Sequence, residues 1–163
     1  MLNDKEIEIL CILAKAYSEG VIQDCTQDYD FDDEKSLIDP KKVGAILKKL
    51  YTILGQEQKK DIDLQVISRK YGDWNREPDT AIINLIANSI VNKKIMEIVY
   101  YSPDKEKLSK RNVAIYAQNA RYIVGYCHLA KDIRKFRKSR IVRAAQTKGG
   151  FEVPPSFNKK DYL

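Results

Sequence analysis

The spacing of apolar residues changes at Lys94, and this change limits the possible folds more than any other feature of the sequence. Before Lys94, apolar side chains recur every three or four residues, which is the spacing of one face of an α-helix. After it, short runs rich in β-branched and aromatic residues are separated by turn-forming residues, as in β-strands. We therefore expect an α+β fold, with a helical segment first and a β domain second.

Four helices are expected before this change. They are predicted to begin at the capping box of Asn3 and Glu6, at Asp39 with Pro40 in the first turn, near Glu57, and after Asp79 or Thr80. The stretch 71–79 interrupts the helical spacing, and we place a domain boundary at its end. Residues 1–78 are expected to be a helical linker or dimerisation region.

Four short runs follow and predict antiparallel strands, at residues 95–101, 111–117, 121–127 and 134–143. A leading helix and so few short strands bury one sheet face best when the sheet curls onto itself. We therefore predict a small β-barrel over residues 79–148 and a C-terminal extension over 149–163. Gly125 is expected to mark a bend in its strand, and Gly149 with Gly150 is expected to form a turn.

Charge also divides the chain. Residues 1–80 carry 12 basic and 17 acidic side chains, whereas residues 81–163 carry 17 basic and 6 acidic ones. A positive field favours phosphate-bearing partners, so the ligand-facing surface is expected in the second half. Three cysteines and one histidine are too few for a disulfide framework or a zinc site. No run is long and apolar enough for a membrane span, and we expect a cytoplasmic protein without metal or cofactor.

Basic residues are densest in the last strand run. Between Lys131 and Arg143, seven cations accompany one acid, Asp132. Arginine donates paired hydrogen bonds to phosphate and stacks on bases, which favours a phosphate-binding site, although basic residues on a solvated edge strand are the plainer interpretation. Strand alternation would place Arg134, Phe136, Lys138 and Arg140 on one face and Lys135, Arg137, Ser139 and Arg143 on the other. Five tyrosines on neighbouring strands could stack bases: Tyr100, Tyr101, Tyr116, Tyr122 and Tyr126.

Two of these strands carry motifs of a known family. The strand RYIVGYCHL from Arg121 and the strand RKFRKSRI from Arg134 resemble, in order and spacing, two strands of the WYL domain. The chain departs from the family pattern at four places: Arg121 replaces tryptophan, Ile123 replaces leucine, Ser139 replaces aspartate, and Val113 with Ala114 replaces a glutamate-proline pair. The resemblance covers residues 81 to about 145 and implies an Sm-like or SH3-like barrel.

The resemblance also implies a ligand pocket at the matched positions, namely Tyr101, Ser102, Tyr122, Arg134, Arg137 and Arg140. His128 is added because a histidine at a strand end near the cations could hydrogen-bond a ligand. In regulators of this kind a winged helix-turn-helix comes first, then linking helices, the WYL barrel and a C-terminal extension. Residues 1–78 are similar to the linking helices and contain no recognition-helix pattern. The chain therefore looks like the middle of a regulator, either a trimmed piece or a naturally short protein.

The function expected from these features is ligand sensing in a bacterial transcription regulator, not catalysis. The ligand is expected to be single-stranded DNA or RNA, an oligonucleotide or a nucleotide-like anion, and the protein is expected to be a homodimer whose barrel and helices shift when ligand binds. The alternative is a dimerisation module without a small ligand. A magnesium nuclease using the acidic residues of 28–34 is disfavoured, because the basic half offers no second carboxylate set and no positioned base.

Overall fold

The computed structural model describes residues 3–21 and 39–163. Contacts divide the chain into two compact units, residues 1–70 and residues 71–163, and each is described by itself. The acidic stretch 28–34, which the nuclease interpretation used, lies outside the described residues, as does Cys25.

The first unit contains helices α1 (Asp4–Ser18) and α2 (Pro40–Tyr51) and most of α3 (Gln56–Gly72). The predicted capping box is confirmed, since the Asn3 side chain accepts from the Glu6 N–H and the Glu6 carboxylate accepts from the Asn3 N–H. Asp39 caps α2 as predicted. A small core buries Cys11, Leu54 and Ile62, so the apolar stripes of these helices meet.

The second unit begins with the predicted cap at Asp79, whose side chain accepts from the Ala81 N–H at the start of α4 (Thr80–Val91). Five strands follow: β1 (Lys94–Ser102), β2 (Lys107–Gln118), β3 (Tyr122–Cys127), β4 (Asp132–Arg137) and β5 (Ile141–Gly150). They form one antiparallel sheet in the order β4-β3-β2-β1-β5. The α+β class with an antiparallel sheet is therefore confirmed.

One predicted strand is divided in two. The run 134–143 was expected to be continuous, but a 3-10 turn over Lys138–Arg140 separates β4 from β5. The predicted alternation of faces along this run is wrong beyond Arg137, because Arg137, Lys138 and Ser139 are buried one after another. The turn predicted at Gly149 and Gly150 is also wrong, since both end β5 and Gly150 lies opposite Lys94.

The sheet must curve strongly. Strands β4 and β5 are its two edges, yet only Lys138–Arg140 separate them in the chain. Four spacings of about 4.8 Å would put the edges of a flat sheet about 19 Å apart, whereas four Cα steps reach at most about 14 Å. No ladder joins β4 to β5 among the described strands, so the sheet stays open and the closed barrel that we predicted is not confirmed.

The inner face of the curved sheet packs against α4 and forms the main core. Ile82 and Ile86 of the helix meet buried strand residues Met96, Ile98, Val113, Ile115, Ile123, Cys127, Phe136 and Ile141. Gly125 permits a close approach of β3 to β2, because a Cβ there would lie 2.0 Å from the carbonyl oxygen of Ala114. Opposite Gly125 and Val124, the partner strand β2 has a register shift between Ile115 and Ala117.

Candidate functional site

A recess of about 170 Å³ lies within the second unit, where the segment before α4 meets the end of β4. Residues 74–78 form one wall, and Ala120, Arg121, Arg137 and Ser139 form the rest. Residues 74–78 precede α4 directly, whereas Ala120 and Arg121 belong to the turn between β2 and β3. Three chain segments, distant in sequence, therefore line one small space.

Arg137 is the central side chain of this recess and is only 6% exposed. Its Nε donates to the Ser139 hydroxyl at 3.0 Å, and its Nη2 donates to the carbonyl oxygen of Trp74. The guanidinium lies 3.8 Å from the centroid of the Trp74 ring, a cation–π contact. Its Nη1 is buried and has no hydrogen-bond partner among the described residues. Buried donors are nearly always paired in folded proteins, so this N–H group is a candidate donor to a bound acceptor.

The end of β4 fixes the position of Arg137. Arg137 is the last residue of that strand, pairs with Tyr122 of β3, and donates its backbone N–H to the Tyr100 hydroxyl at 3.3 Å. The next backbone N–H, that of Lys138, donates to the Arg121 carbonyl at 2.9 Å. These bonds hold the 3-10 turn against the β2–β3 connection, and thereby bring Arg137 beside Arg121.

Two further arginines line the recess, Arg76 and Arg121, and Arg140 lies near Trp74. Arg76 donates from Nη1 to the carbonyl oxygens of Ser139 at 2.9 Å and Glu77 at 3.2 Å. Arg121 is exposed at the rim, and the Arg140 guanidinium lies 5.7 Å from the Trp74 ring centroid. Among the residues that the structure describes, no ion pair joins any of these arginines, or Arg137, to a carboxylate. Their positive charges therefore exceed the single negative charge of Glu77, which also lines the recess.

Lys138, next to Arg137, is a second buried cation. It is 5% exposed, and its ammonium donates to the Gln118 side-chain oxygen at 2.7 Å. Burial lowers the pKa of Lys138, because the charged form loses solvation and gains no carboxylate partner. The end of β4 and the turn after it thus bury two adjacent basic side chains, a costly arrangement in a purely structural element.

The structure places the other predicted site residues around this recess or away from it. Tyr122 lies opposite Arg137, with the Lys135 ammonium 4.6 Å from its ring centroid. Tyr101 is buried in β1, and Ser102 ends that strand. Arg134 is exposed and lies 3.3 Å from the Asp132 carboxylate, outside the lining of the recess.

His128 lies elsewhere. It is exposed, packs edge-on against Tyr126, and lines a separate shallow groove with Glu97, Lys110, Arg111, Asn112 and Leu129. The structure therefore brings Arg137 and Arg140 together at Trp74, and does not bring His128 to the same recess.

Some of the tyrosines considered for base stacking pack within the unit. Tyr116 contacts Phe151 and Phe157 of the C-terminal residues, at ring distances of 5.8 and 5.2 Å. Burial, with a smaller effect of Tyr126, raises the pKa of the Tyr116 hydroxyl. Tyr100 packs edge-on against Phe136. Trp74, at the recess, is 58% exposed and so offers more open aromatic surface than Tyr100 or Tyr116.

Sequence reasoning did not assign Trp74, Arg76 or Arg121 to the site. Trp74 and Arg76 lie in the stretch 71–79, which the sequence marks only as a boundary, and Arg121 is noted only for replacing the family tryptophan. The sole sequence signal for this wall was the break in helical spacing at residues 71–79, which placed a tryptophan and an arginine directly before the β domain.

No group of three or more histidine, cysteine or acidic residues in the described part of the chain could hold a metal ion. Among the described helices, none has the length and apolar composition needed to cross a membrane.

Comparison with known proteins identifies the second unit's domain. The family model of the WYL domain matches residues 81–146, so the chain contains a WYL domain. Trp74 and Arg76 precede the matched residues.

A similar solved structure is proteasome accessory factor B/C (PafBC) of Arthrobacter aurescens, with 15% sequence identity and a TM-score of 0.39. That alignment covers 91% of this chain and 21% of the other, so this chain spans about a fifth of that protein's length. No curated protein sequence matches the chain.

Proposed function

We propose that residues 71–163 are the ligand-sensing domain of a cytoplasmic bacterial transcription regulator, and that they bind a nucleic-acid or nucleotide-like anion at the recess around Arg137. The observation that carries this proposal is the buried, unpartnered Nη1 of Arg137. A buried polar group without a partner costs about 1–3 kcal/mol. A phosphate oxygen that displaced the atoms covering Nη1 would remove that cost, and two N–H groups of one guanidinium can bind one phosphate.

Trp74 supports a base-bearing ligand. More than half of its surface is exposed, although Arg137 stacks on its ring. Stacking of a base on an aromatic side chain contributes about 1–3 kcal/mol and tolerates any base sequence. An anion site beside an open indole therefore suits a single-stranded oligonucleotide better than a simple inorganic ion.

Binding without catalysis is the function that this chemistry favours. The polar residues that line the recess are three arginines, Glu77, Asn75 and Ser139, and the Ser139 hydroxyl already accepts from Arg137. Catalysis by a serine hydroxyl needs an adjacent base, and the chain's single histidine, His128, lies in the other groove. We therefore propose a sensor that needs no cofactor, on a sheet curved in the manner of an Sm-like or SH3-like barrel.

The recess also suggests how binding is signalled. Trp74 and Arg76 belong to the segment that directly follows α3 in the chain, and both hydrogen-bond to the end of β4 or the turn after it. A phosphate bound to Arg137 would either weaken or strengthen the hydrogen bonds that Trp74 and Arg76 make to this region. Ligand binding would thereby change how well ordered residues 74–78 are, between α3 and the WYL domain.

Binding of a short fluorescent oligothymidylate tests the proposal. Affinity should fall steeply between about 50 and 200 mM salt, because phosphate binding releases counterions. Arg121→Ala, at the exposed rim, should weaken binding without unfolding the protein, and Arg137→Lys should weaken it further because lysine cannot form the paired bonds.

Arg143→Ala is the matched control, since Arg143 is exposed on β5 and does not line the recess. Equal binding by all three variants and the wild type would place the site elsewhere. No binding at either salt concentration would contradict the sensor proposal and favour a dimerisation module without a small ligand.

A second proposal concerns residues 1–70, which we propose mediate homodimerisation. Helix α1 exposes Ile9, Leu10 and Leu13, each between 41% and 50% exposed. Adjacent exposed apolar side chains on one helix are typical of association surfaces. Sedimentation equilibrium should give a dimer for the wild type and a monomer for Leu10→Ser with Leu13→Ser. An unchanged mass in this variant would exclude this surface.

A further inference from the structure

We infer that the recess binds the terminal phosphate monoester of an oligonucleotide in preference to an internal phosphodiester. This inference rests on the proposed function and specifies which part of the ligand enters the recess.

The size of the recess limits its occupant to a small group. At about 170 Å³, it is smaller than the roughly 300–1,000 Å³ typical of pockets that enclose a whole small molecule. A complete nucleotide does not fit, whereas a phosphate group does. The sugar and base must then lie outside the recess, on the side where Trp74 is exposed.

Charge within the recess favours a dianion. Arg76, Arg121 and Arg137 line it together with one acid, Glu77, which leaves two positive charges in excess. A phosphate monoester carries a charge of about −1.5 to −2 at neutral pH, whereas an internal phosphodiester carries about −1. Because ion pairs within the described part of the chain do not consume these arginines, the excess is available to the ligand.

The available donors also match a chain end. Arg137, whose Nη1 has no hydrogen-bond partner among the described residues, lines the recess together with Arg121 from the β2–β3 turn and Arg76 from the segment before α4. A monoester presents three terminal oxygens, one for each guanidinium, and an internal diester presents two. An internal phosphodiester, in a strand that passes through the site, lacks this third terminal oxygen.

Three forms of one short oligothymidylate test this inference: with a 5′-phosphate, with a 5′-hydroxyl, and with a 5′-methyl phosphate. The methyl phosphate matches the phosphate closely in size but carries a single charge. We expect the 5′-phosphate form to bind about tenfold more tightly than either of the others, the effect of one additional charge-assisted hydrogen bond. The same phosphate at the 3′ end reports whether one polarity is selected.

Variants connect the preference to the recess. Arg121→Gln should reduce the tenfold preference to nearly none, and the control Arg143→Gln should preserve it. Equal binding of all three forms, with Arg137-dependent affinity, would overturn this inference and leave the proposed function standing. Absence of binding by every form would overturn both. Equally tight binding of a phosphoserine peptide would contradict the assignment to an oligonucleotide.

Discussion

Replacing Arg137 with methionine separates the structural from the functional role of this buried arginine. Methionine fills similar space without charge. The change removes the hydrogen bonds to Ser139 and Trp74, about 1.5–3 kcal/mol each for a charged donor, and a cation–π contact of about 2 kcal/mol. It also removes the desolvation cost of a buried charge, several kcal/mol, and the unpartnered Nη1, about 1–3 kcal/mol.

These opposing contributions nearly cancel. We therefore expect Arg137→Met to change the free energy of unfolding by less than about 2 kcal/mol, although the residue is almost fully buried. Urea denaturation followed by circular dichroism measures this change. Repeating it with oligonucleotide at about 100 times Kd should stabilise the wild type by about 2.7 kcal/mol, and should leave the variant unchanged.

A loss above about 4 kcal/mol in the absence of ligand would refute this reasoning, because Arg137 would then be a structural requirement rather than a binding group kept at a cost. Equal stabilisation of wild type and variant by the oligonucleotide would also refute it, because Arg137 would then contribute nothing to ligand binding.

Three further predictions concern the fold and its electrostatics. Gly125→Ala should destabilise the protein by more than about 2 kcal/mol in urea, because the new Cβ would lie 2.0 Å from the Ala114 carbonyl oxygen and force β2 from β3; unchanged stability would show that the strands separate freely. Ile86→Ala, at a fully buried core position, should cost about 2–5 kcal/mol in the same assay, and a loss below about 1 kcal/mol would contradict the described packing. Lys138 should titrate below the usual lysine value of about 10.4 when followed by NMR of its side chain, since burial lowers its pKa. Because the unfolded chain then binds this proton more tightly, the contribution of Lys138 to stability rises with pH between its lowered pKa and about 10.4; Lys138→Met should abolish that rise, and an ordinary titration would disprove the shift.

The helices could be predicted because their signals are local. A capping side chain and the backbone N–H that it satisfies lie within three residues, as at Asn3 and Asp79. Strands β1 to β3 were similarly marked by β-branched residues and by turns between them. Their antiparallel order follows from short connections, which leave few other topologies.

The break between β4 and β5 could not be predicted from local sequence. Residues 138–140 contain no glycine or proline, and the run around them is compatible with a continuous strand. The turn is held instead by long-range bonds, from Arg76 to the Ser139 carbonyl and from Lys138 to the Arg121 carbonyl. Such contacts leave no mark on hydropathy spacing.

The candidate site could likewise be predicted only in part. The family motif indicated Arg137, but Trp74 lies 63 residues before it in the chain, and their contact depends on how the segment before α4 folds back. Periodicity describes single elements, so it could not pair residues of two segments so far apart. The departure at Ser139 from the family aspartate also acquires a physical meaning, since its hydroxyl accepts from Arg137 without neutralising it.

A crystal structure of the chain with a 5′-phosphorylated oligothymidylate tests the central claim most directly. The account predicts the terminal phosphate in the recess, with one oxygen within hydrogen-bonding distance of Arg137 Nη1 and a base on Trp74. Phosphate bound in the groove beside His128, with Nη1 of Arg137 still unpartnered, would contradict it.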